Sequence, residues 1–217
     1  MCPSYRATRN EKDTTRARAN ALREFLTHSE KPNRFNHQEL KEVFDLCLSC
    51  KACSSECPSS VDVASLKAEF QYQYQHANGI SWRTKLFAFN NRINKTASHF
   101  SRFTNFLFTN NFTSNILKKS MGIASERSIP LISNKSLYKH FKNIDNQQVI
   151  NDINKTVYLF NDEFTNFLDT TTGADAIFLL TALNYKVKVV KHEESGRALI
   201  SKGLLKQAKH IANLNVS

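Results

Sequence analysis

Only five of the 217 residues are glycine and four are proline, so few points along the chain force a helix to stop. With 41% hydrophobic and 23% charged residues, this composition describes a helix-leaning globular chain. Long apolar runs are missing as well. The longest is Ala176–Leu180, ended by Thr181, far short of the roughly 18–20 apolar residues that a membrane-spanning helix needs. The polar start Met1-Cys2-Pro3-Ser4-Tyr5-Arg6 has no apolar h-region and so does not read as a secretory signal. The expectation is a cytoplasmic chain whose thiols stay reduced. Cysteine is absent from the last 160 residues. All five lie at Cys2, Cys47, Cys50, Cys53 and Cys57, and an odd set with four members inside eleven residues argues against a disulfide framework. There is no internal repeat, no P-loop, no G-x-G-x-x-G and no Ser/His/Asp arrangement.

Acidic residues are scarce in one place. Residues 61–150 hold 12 Lys/Arg against 4 Asp/Glu, whereas residues 1–60 hold 10 against 8 and residues 151–217 hold 8 against 7. Most of the +11 net charge therefore belongs to the middle of the chain.

Three segments follow. In residues 1–78, Asp13-Thr14-Thr15 can cap a helix to about Leu26, with Ala17, Ala21, Leu22 and Phe25 on one face and Arg16, Arg18 and Arg23 on the other. A second helix is expected from Gln38 to Leu46. Asp62 is placed to cap a third, Val63–His76. Residues 79–155 read as a basic, aromatic-rich helical connector, with Ser81–Asn94 and Phe112–Met121 its clearest helices and 143–155 an irregular or helical linker. Residues 156–217 change period: a β-rich run Thr156–Phe160, a helix to Asp169, a break at Gly173, a helix Ala174–Leu183, a strand Lys186–Val190 and a last helix Lys202–Ala212. Strands alternating with helices predict a parallel βαβ unit. Two strands make an incomplete one, so the chain reads as a fragment.

The run Cys47-Leu-Ser-Cys50-Lys-Ala-Cys53-Ser-Ser-Glu-Cys57-Pro58 carries the chemistry. C-x2-C-x2-C wraps three corners of a [4Fe–4S] cube in one loop, and in two-cluster proteins the fourth cysteine ligates the other cluster. Zinc sites pair separated C-x2-C or C/H elements instead. By that logic the triplet needs a remote Cys-Pro, and Cys2-Pro3 is available. Cys2, Cys47, Cys50 and Cys53 are the expected ligands of one cluster, with Cys57 left to a second whose other ligands are absent. In the alternative, Cys57 replaces Cys2 in a lone cluster and Cys2 is a terminal thiol.

These residues carry a family resemblance. Met1–Arg9, Thr15–Asn20, Asp45–Cys53 and Ser55-Glu56-Cys57-Pro58 resemble the iron–sulfur region of large FAD-linked oxidases, 2-hydroxyacid dehydrogenases of the D-lactate, glycolate and D-2-hydroxyglutarate type. The likeness continues through Val61–Ala64 and Lys67–Phe70 and returns in Glu194–Lys209. It implies an α-helical ferredoxin-like [4Fe–4S] domain, a helical connector and part of an α/β cysteine-rich repeat. It also implies a flavin domain, in the parent chain or a separate subunit, to hold the FAD; no FAD or substrate site falls on these residues. The repeat's usual Cys-Cys-Gly is Glu194-Ser195-Gly196 here, so no metal role attaches to it, and Gly196-Arg197 reads as a βα loop.

The expected function is electron relay from a reduced flavin to a further acceptor, without substrate chemistry in this piece. Lys51 and loop N–H groups would donate to sulfur, and Leu46, Leu48, Val61 and Leu66 would exclude water. The basic middle, with thirteen aromatics from Phe70 to Phe141, suits packing of Phe87, Phe89, Phe103, Phe106 and Phe112 on the flavin domain. An acceptor at an anionic membrane surface, with the chain peripheral there, is the other reading. Nucleic acid is not expected, because no recognition motif accompanies the charge. The competing function is a non-redox zinc-binding or scaffold module that docks a partner through this middle segment. The histidines show no metal spacing; His192 beside Glu193-Glu194 reads as loop surface, and Asn161-Asp162-Glu163 as a helix cap.

Overall fold

A computed structural model describes residues 2–145 and 155–217. The chain opens with a short helix α1 (Pro3–Thr8), a 3₁₀ turn Glu11–Asp13, and helices α2 (Thr15–His28), α3 (Gln38–Asp45) and α4 (Ala52–Glu56). Next come α5 (Val63–Asn78), α6 (Trp82–Ala88), α7 (Asn90–Ser98), α8 (Ser101–Thr109), α9 (Asn111–Met121) and α10 (Leu137–Asp145). The remainder is β1 (Lys155–Tyr158), α11 (Glu163–Phe167), α12 (Thr170–Ala182), β2 (Tyr185–Lys188), α13 (Arg197–Ser201) and α14 (Leu205–Val216). Contacts gather these into two compact units, Met1–Ala88 with Gly196–His210, and Phe89–Ser195 with Ile211–Ser217. The described residues are thus mainly helical, with one small parallel sheet.

In the first unit the caps fall where local chemistry puts them. Thr14 Oγ1 accepts from Ala17 N (3.0 Å) to start α2, and Asp62 Oδ1 accepts from Ala64 N and Ser65 N (3.0 and 3.1 Å) to start α5. The core is Leu22, Leu40, Phe44, Val63 and Phe70, with the Phe44 and Phe70 rings stacked at 5.4 Å. Arg18 departs from the amphipathic reading. It lies on the buried side of α2, with 1% of its surface exposed, because its guanidinium is consumed by protein acceptors described below.

The last helix, expected from Lys202, begins at Leu205, and the loop expected before it contains the short helix α13. Gly203, at φ +72°, separates α13 from α14 and lies flat against α5. A Cβ there would sit 2.6 Å from Gln71 Cβ and 3.0 Å from the Gln71 carbonyl carbon. Both the left-handed backbone and the contact penalise a side chain, so Gly203→Ala is expected to cost about 1–3 kcal/mol in urea unfolding followed by circular dichroism.

In the second unit β1 and β2 pair in parallel with Val157 opposite Val187, and α11 and α12 form the connection. Val187 packs with Leu137, Phe141 and Ile177. The helix expected over Ser81–Asn94 is interrupted at Phe89, whose backbone leaves the helical region where two asparagines follow. Gly173 does not break a helix. It lies in the first turn of α12, where a Cβ would collide with the buried Leu137 side chain. Helix α8 was not singled out by its Phe-, Thr- and Asn-rich sequence, whose intrinsic propensity is low. Asn105 of α8 exchanges two 2.8 Å hydrogen bonds with the backbone of Ile132. Most of the linker expected over 143–155 lies outside the described residues.

Candidate metal centre

Four of the five cysteines line one pocket. Cys2 comes from the start of α1, Cys47 and Cys50 from the loop after α3, and Cys53 from α4; Val63, Ala64, Thr15 and Arg18 complete the inner wall. Cys57 is not among the lining residues. It follows α4, and backbone amides of Val61, Ser59 and Ser60 hold its thiol below its usual range.

The loop is shaped for this. Ser49 (φ 53°) and Lys51 (φ 62°) are both in the left-handed region, one on each side of Cys50. Non-glycine residues there carry a cost of about 1–3 kcal/mol each and persist where the surroundings impose them. The Lys51 N-cap then starts α4, and Cys57 N closes on Cys53 O at 3.1 Å.

Cys2 is held from a distance in sequence. Arg18 Nη1 donates to Cys2 Sγ (3.2 Å), Nη2 donates to Ser4 Oγ (2.9 Å) and Nε donates to Val43 O (3.0 Å). Ser4 Oγ lies 3.1 Å from Cys2 Sγ. Buried Asp13 lies 3.8 Å from Arg18 Nη2 and accepts from Thr8 Oγ1 at 2.7 Å. One guanidinium thus ties α1, α2 and the end of α3 together. Burial alone would raise the Cys2 thiol, but hydrogen bonds from Ser4, Arg18 and the Tyr5 amide outweigh it and bring the pKa down to about 7. The Lys67 ammonium, buried on α5, donates to Cys47 O.

Two expectations about the surroundings need correction. Leu46, Leu48, Val61 and Leu66 do not seal the site: all are exposed, Leu48 to 72%. Leu46, Leu48 and Val61 lie outside the helices and Leu66 within α5; Leu48 lines the pocket but stays open to solvent, and Val63 and Ala64, at the capped start of α5, supply the buried part of its apolar wall. The Lys51 ammonium pairs with Asp62 Oδ2 (3.2 Å) rather than a sulfur. Arg18 is a site residue that the sequence does not signal: it is one of three arginines in an Ala-rich stretch, indistinguishable by spacing from Arg16 and Arg23.

The donor types suit an iron–sulfur cluster, although among the described residues no group of three or more His, Cys, Asp or Glu is drawn together tightly enough to hold a metal ion. Four thiols from three elements surround a cavity, one of them biased toward thiolate, with a buried guanidinium to offset negative charge and an apolar wall on the inner side. Residues 1–62 match the family model of the 4Fe-4S dicluster domain. The dicluster domain therefore spans α1 to Asp62, the residue that caps α5, and its cofactor is an iron–sulfur cluster. Almost the whole chain is similar to D-2-hydroxyglutarate dehydrogenases. The Haemophilus influenzae enzyme is 25% identical over 95% of this chain and 24% of its own length. The Escherichia coli enzyme is 23% identical over 94% of this chain and 24% of its own. The chain thus spans about a quarter of the length of these curated relatives and matches a piece of a larger enzyme. No solved structure matches. Among the described residues no helix is long and apolar enough to cross a membrane.

Beyond the dicluster domain, the Glu194-Ser195-Gly196 position is polar and inward. Ser195 donates to Glu163 through both N (3.0 Å) and Oγ (2.8 Å). Glu194 is buried, and burial followed by the neighbouring Glu163 raises its carboxyl. Asp162 caps α11. His192 stacks on Phe160 with centroids 3.9 Å apart. Of the connector aromatics, Phe103, Phe106 and Phe112 are exposed, whereas Phe87 and Phe89 are half-buried.

Proposed function

We propose that this chain is the electron-relaying portion of an FAD-linked 2-hydroxyacid dehydrogenase or oxidase, passing electrons from a reduced flavin to a further acceptor. The observation that carries the reading is the pocket lined by Cys2, Cys47, Cys50 and Cys53 inside a segment that matches a 4Fe-4S domain. Those four are assigned to one [4Fe–4S] cluster. Cys57, outside the pocket, is assigned to a second cluster whose other ligands are not among this chain's cysteines. A bound cluster supplies one-electron transfer at a potential set by hydrogen bonding, charge and solvent exposure. Arg18 holds the Cys2 sulfur in place and offsets thiolate charge. Val63 and Ala64 keep water from the inner face, while exposed Leu48 and Cys50 leave the other face open toward a redox partner. The FAD belongs to a flavin domain outside these residues, and exposed Phe103, Phe106 and Phe112 offer an apolar face on which such a domain could pack. The relatives' names make D-2-hydroxyglutarate the first substrate to test on the assembled enzyme.

Anaerobic reconstitution with iron and sulfide is the direct test. The expected product absorbs broadly near about 400 nm, bleaches on reduction and carries about four irons per chain. Colourless protein with one zinc and no sulfide would replace this reading with the zinc-module one.

A further inference from the structure

A second cavity, of about 620 Å³, lies on the other side of the cysteine loop within the first unit. Cys47 and Leu48 line both cavities. Its walls are unusually basic: Lys41 of α3, Lys67 of α5, Arg83 of α6 and Lys202 after α13, against a lone carboxylate, Asp45. That carboxylate is engaged, since Lys41 Nζ lies 3.8 Å from Asp45 Oδ2. Arg83 and Lys202 share the Phe87 ring, each 5.4 Å from its centroid, so two cations are steered to one aromatic wall. Lys202 loses basicity first through burial and then through Arg83, with Asp45 acting in the opposite direction.

The polar lining points to more than charge. Gln75 Nε2 donates to Lys202 O (2.7 Å), which fixes the amide orientation and leaves Gln75 Oε1 buried without a partner. Gln71 Oε1 is buried and unpartnered too. A buried acceptor is costly to leave without a donor, and lysine and arginine around it suit an anion that also brings a hydrogen. The volume falls within the range that small organic ligands fill.

We propose that this cavity binds a small organic oxyacid with at least two negative charges and a hydroxyl: Lys67, Arg83 and Lys202 hold the anionic groups, and the Gln71 and Gln75 carbonyls accept from the hydroxyl. Carboxylate and phosphate both meet that description, so the probes separate them. Isothermal titration of the full 217-residue chain would use citrate, glycerol 3-phosphate, and tricarballylate, which is citrate without its hydroxyl. Saturable binding of citrate or glycerol 3-phosphate is expected, and the tighter of the two names the carboxylate or the phosphate source. Lys202→Met and Arg83→Met should each weaken it about tenfold or more while leaving the far-ultraviolet spectrum unchanged. Tricarballylate should bind at least about fivefold more weakly than citrate in the native chain but not in Gln75→Leu. No saturable heat from either hydroxylated probe up to millimolar concentration overturns the site. So does affinity equal to the native chain's in both cation variants. Equal citrate and tricarballylate affinities remove the role given to the amides.

Discussion

Cys2→Ser is expected to leave reconstituted protein with well under half the native iron and a weak, air-labile band near about 400 nm, whereas Cys57→Ser keeps the native iron content and spectrum. The contrast follows from placement. Cys2 shares a pocket with Cys47, Cys50 and Cys53 and receives a guanidinium hydrogen bond on its sulfur; Cys57 lies outside that lining, facing the amides of its own turn. Serine keeps the size of the side chain but is a poor ligand for iron, so a fold defect does not explain the loss. Iron and acid-labile sulfide assays on both variants, prepared side by side, decide it. The reverse result, with Cys57→Ser bleached and Cys2→Ser intact, would move the fourth ligand to Cys57 and leave the Cys2 pocket without its assigned role.

The largest stability effect is expected at Arg18. Its side chain is buried with Asp13, and the two are held through one another and through Ser4, Thr8, Cys2 and Val43. Arg18→Met keeps most of the volume but leaves a buried carboxylate without its cation and the Val43 carbonyl without this donor. Removing one partner from such an arrangement costs about 3–5 kcal/mol, far more than any exposed arginine of α2 should. Arg16→Met, whose partner Glu11 lies in solvent at 2.6 Å, is expected to change stability by less than about 1 kcal/mol. Urea unfolding of the two variants gives the comparison. Adding Asp13→Asn to Arg18→Met should recover part of the loss, because the second change removes the orphaned charge. Equal, small effects at Arg16 and Arg18 would mean that the buried network contributes little.

Much of this was readable locally. Thr14 and Asp62 are side-chain acceptors placed just before helical runs, and they cap those runs. Cys47-x2-Cys50-x2-Cys53 states its chemistry through spacing alone, and β-branched residues around Val157 and Val187 mark the two strands. What escaped was set by close approach between segments far apart in sequence. Gly173 looks like a helix breaker until Leu137 is seen against it. Gly203 falls at the start of the expected last helix, yet its left-handed backbone and its close approach to Gln71 delay α14 to Leu205. Leu48 and Val61 look like lids by hydropathy, yet both stay exposed because among the described residues no other segment packs over them.

The sequence by itself determined the donor set and the helical character: cysteine spacing, cap residues and periodicity are encoded within a few residues of one another. The tertiary structure alone decided which cysteines share a pocket, because Cys2 reaches the loop only when Arg18 draws α1 and the end of α3 onto α2. It also decided that basic residues from four separate segments would face one cavity beside Cys47. Charge and hydrogen bonding act through space, and no spacing along the chain records which groups folding will bring within their reach.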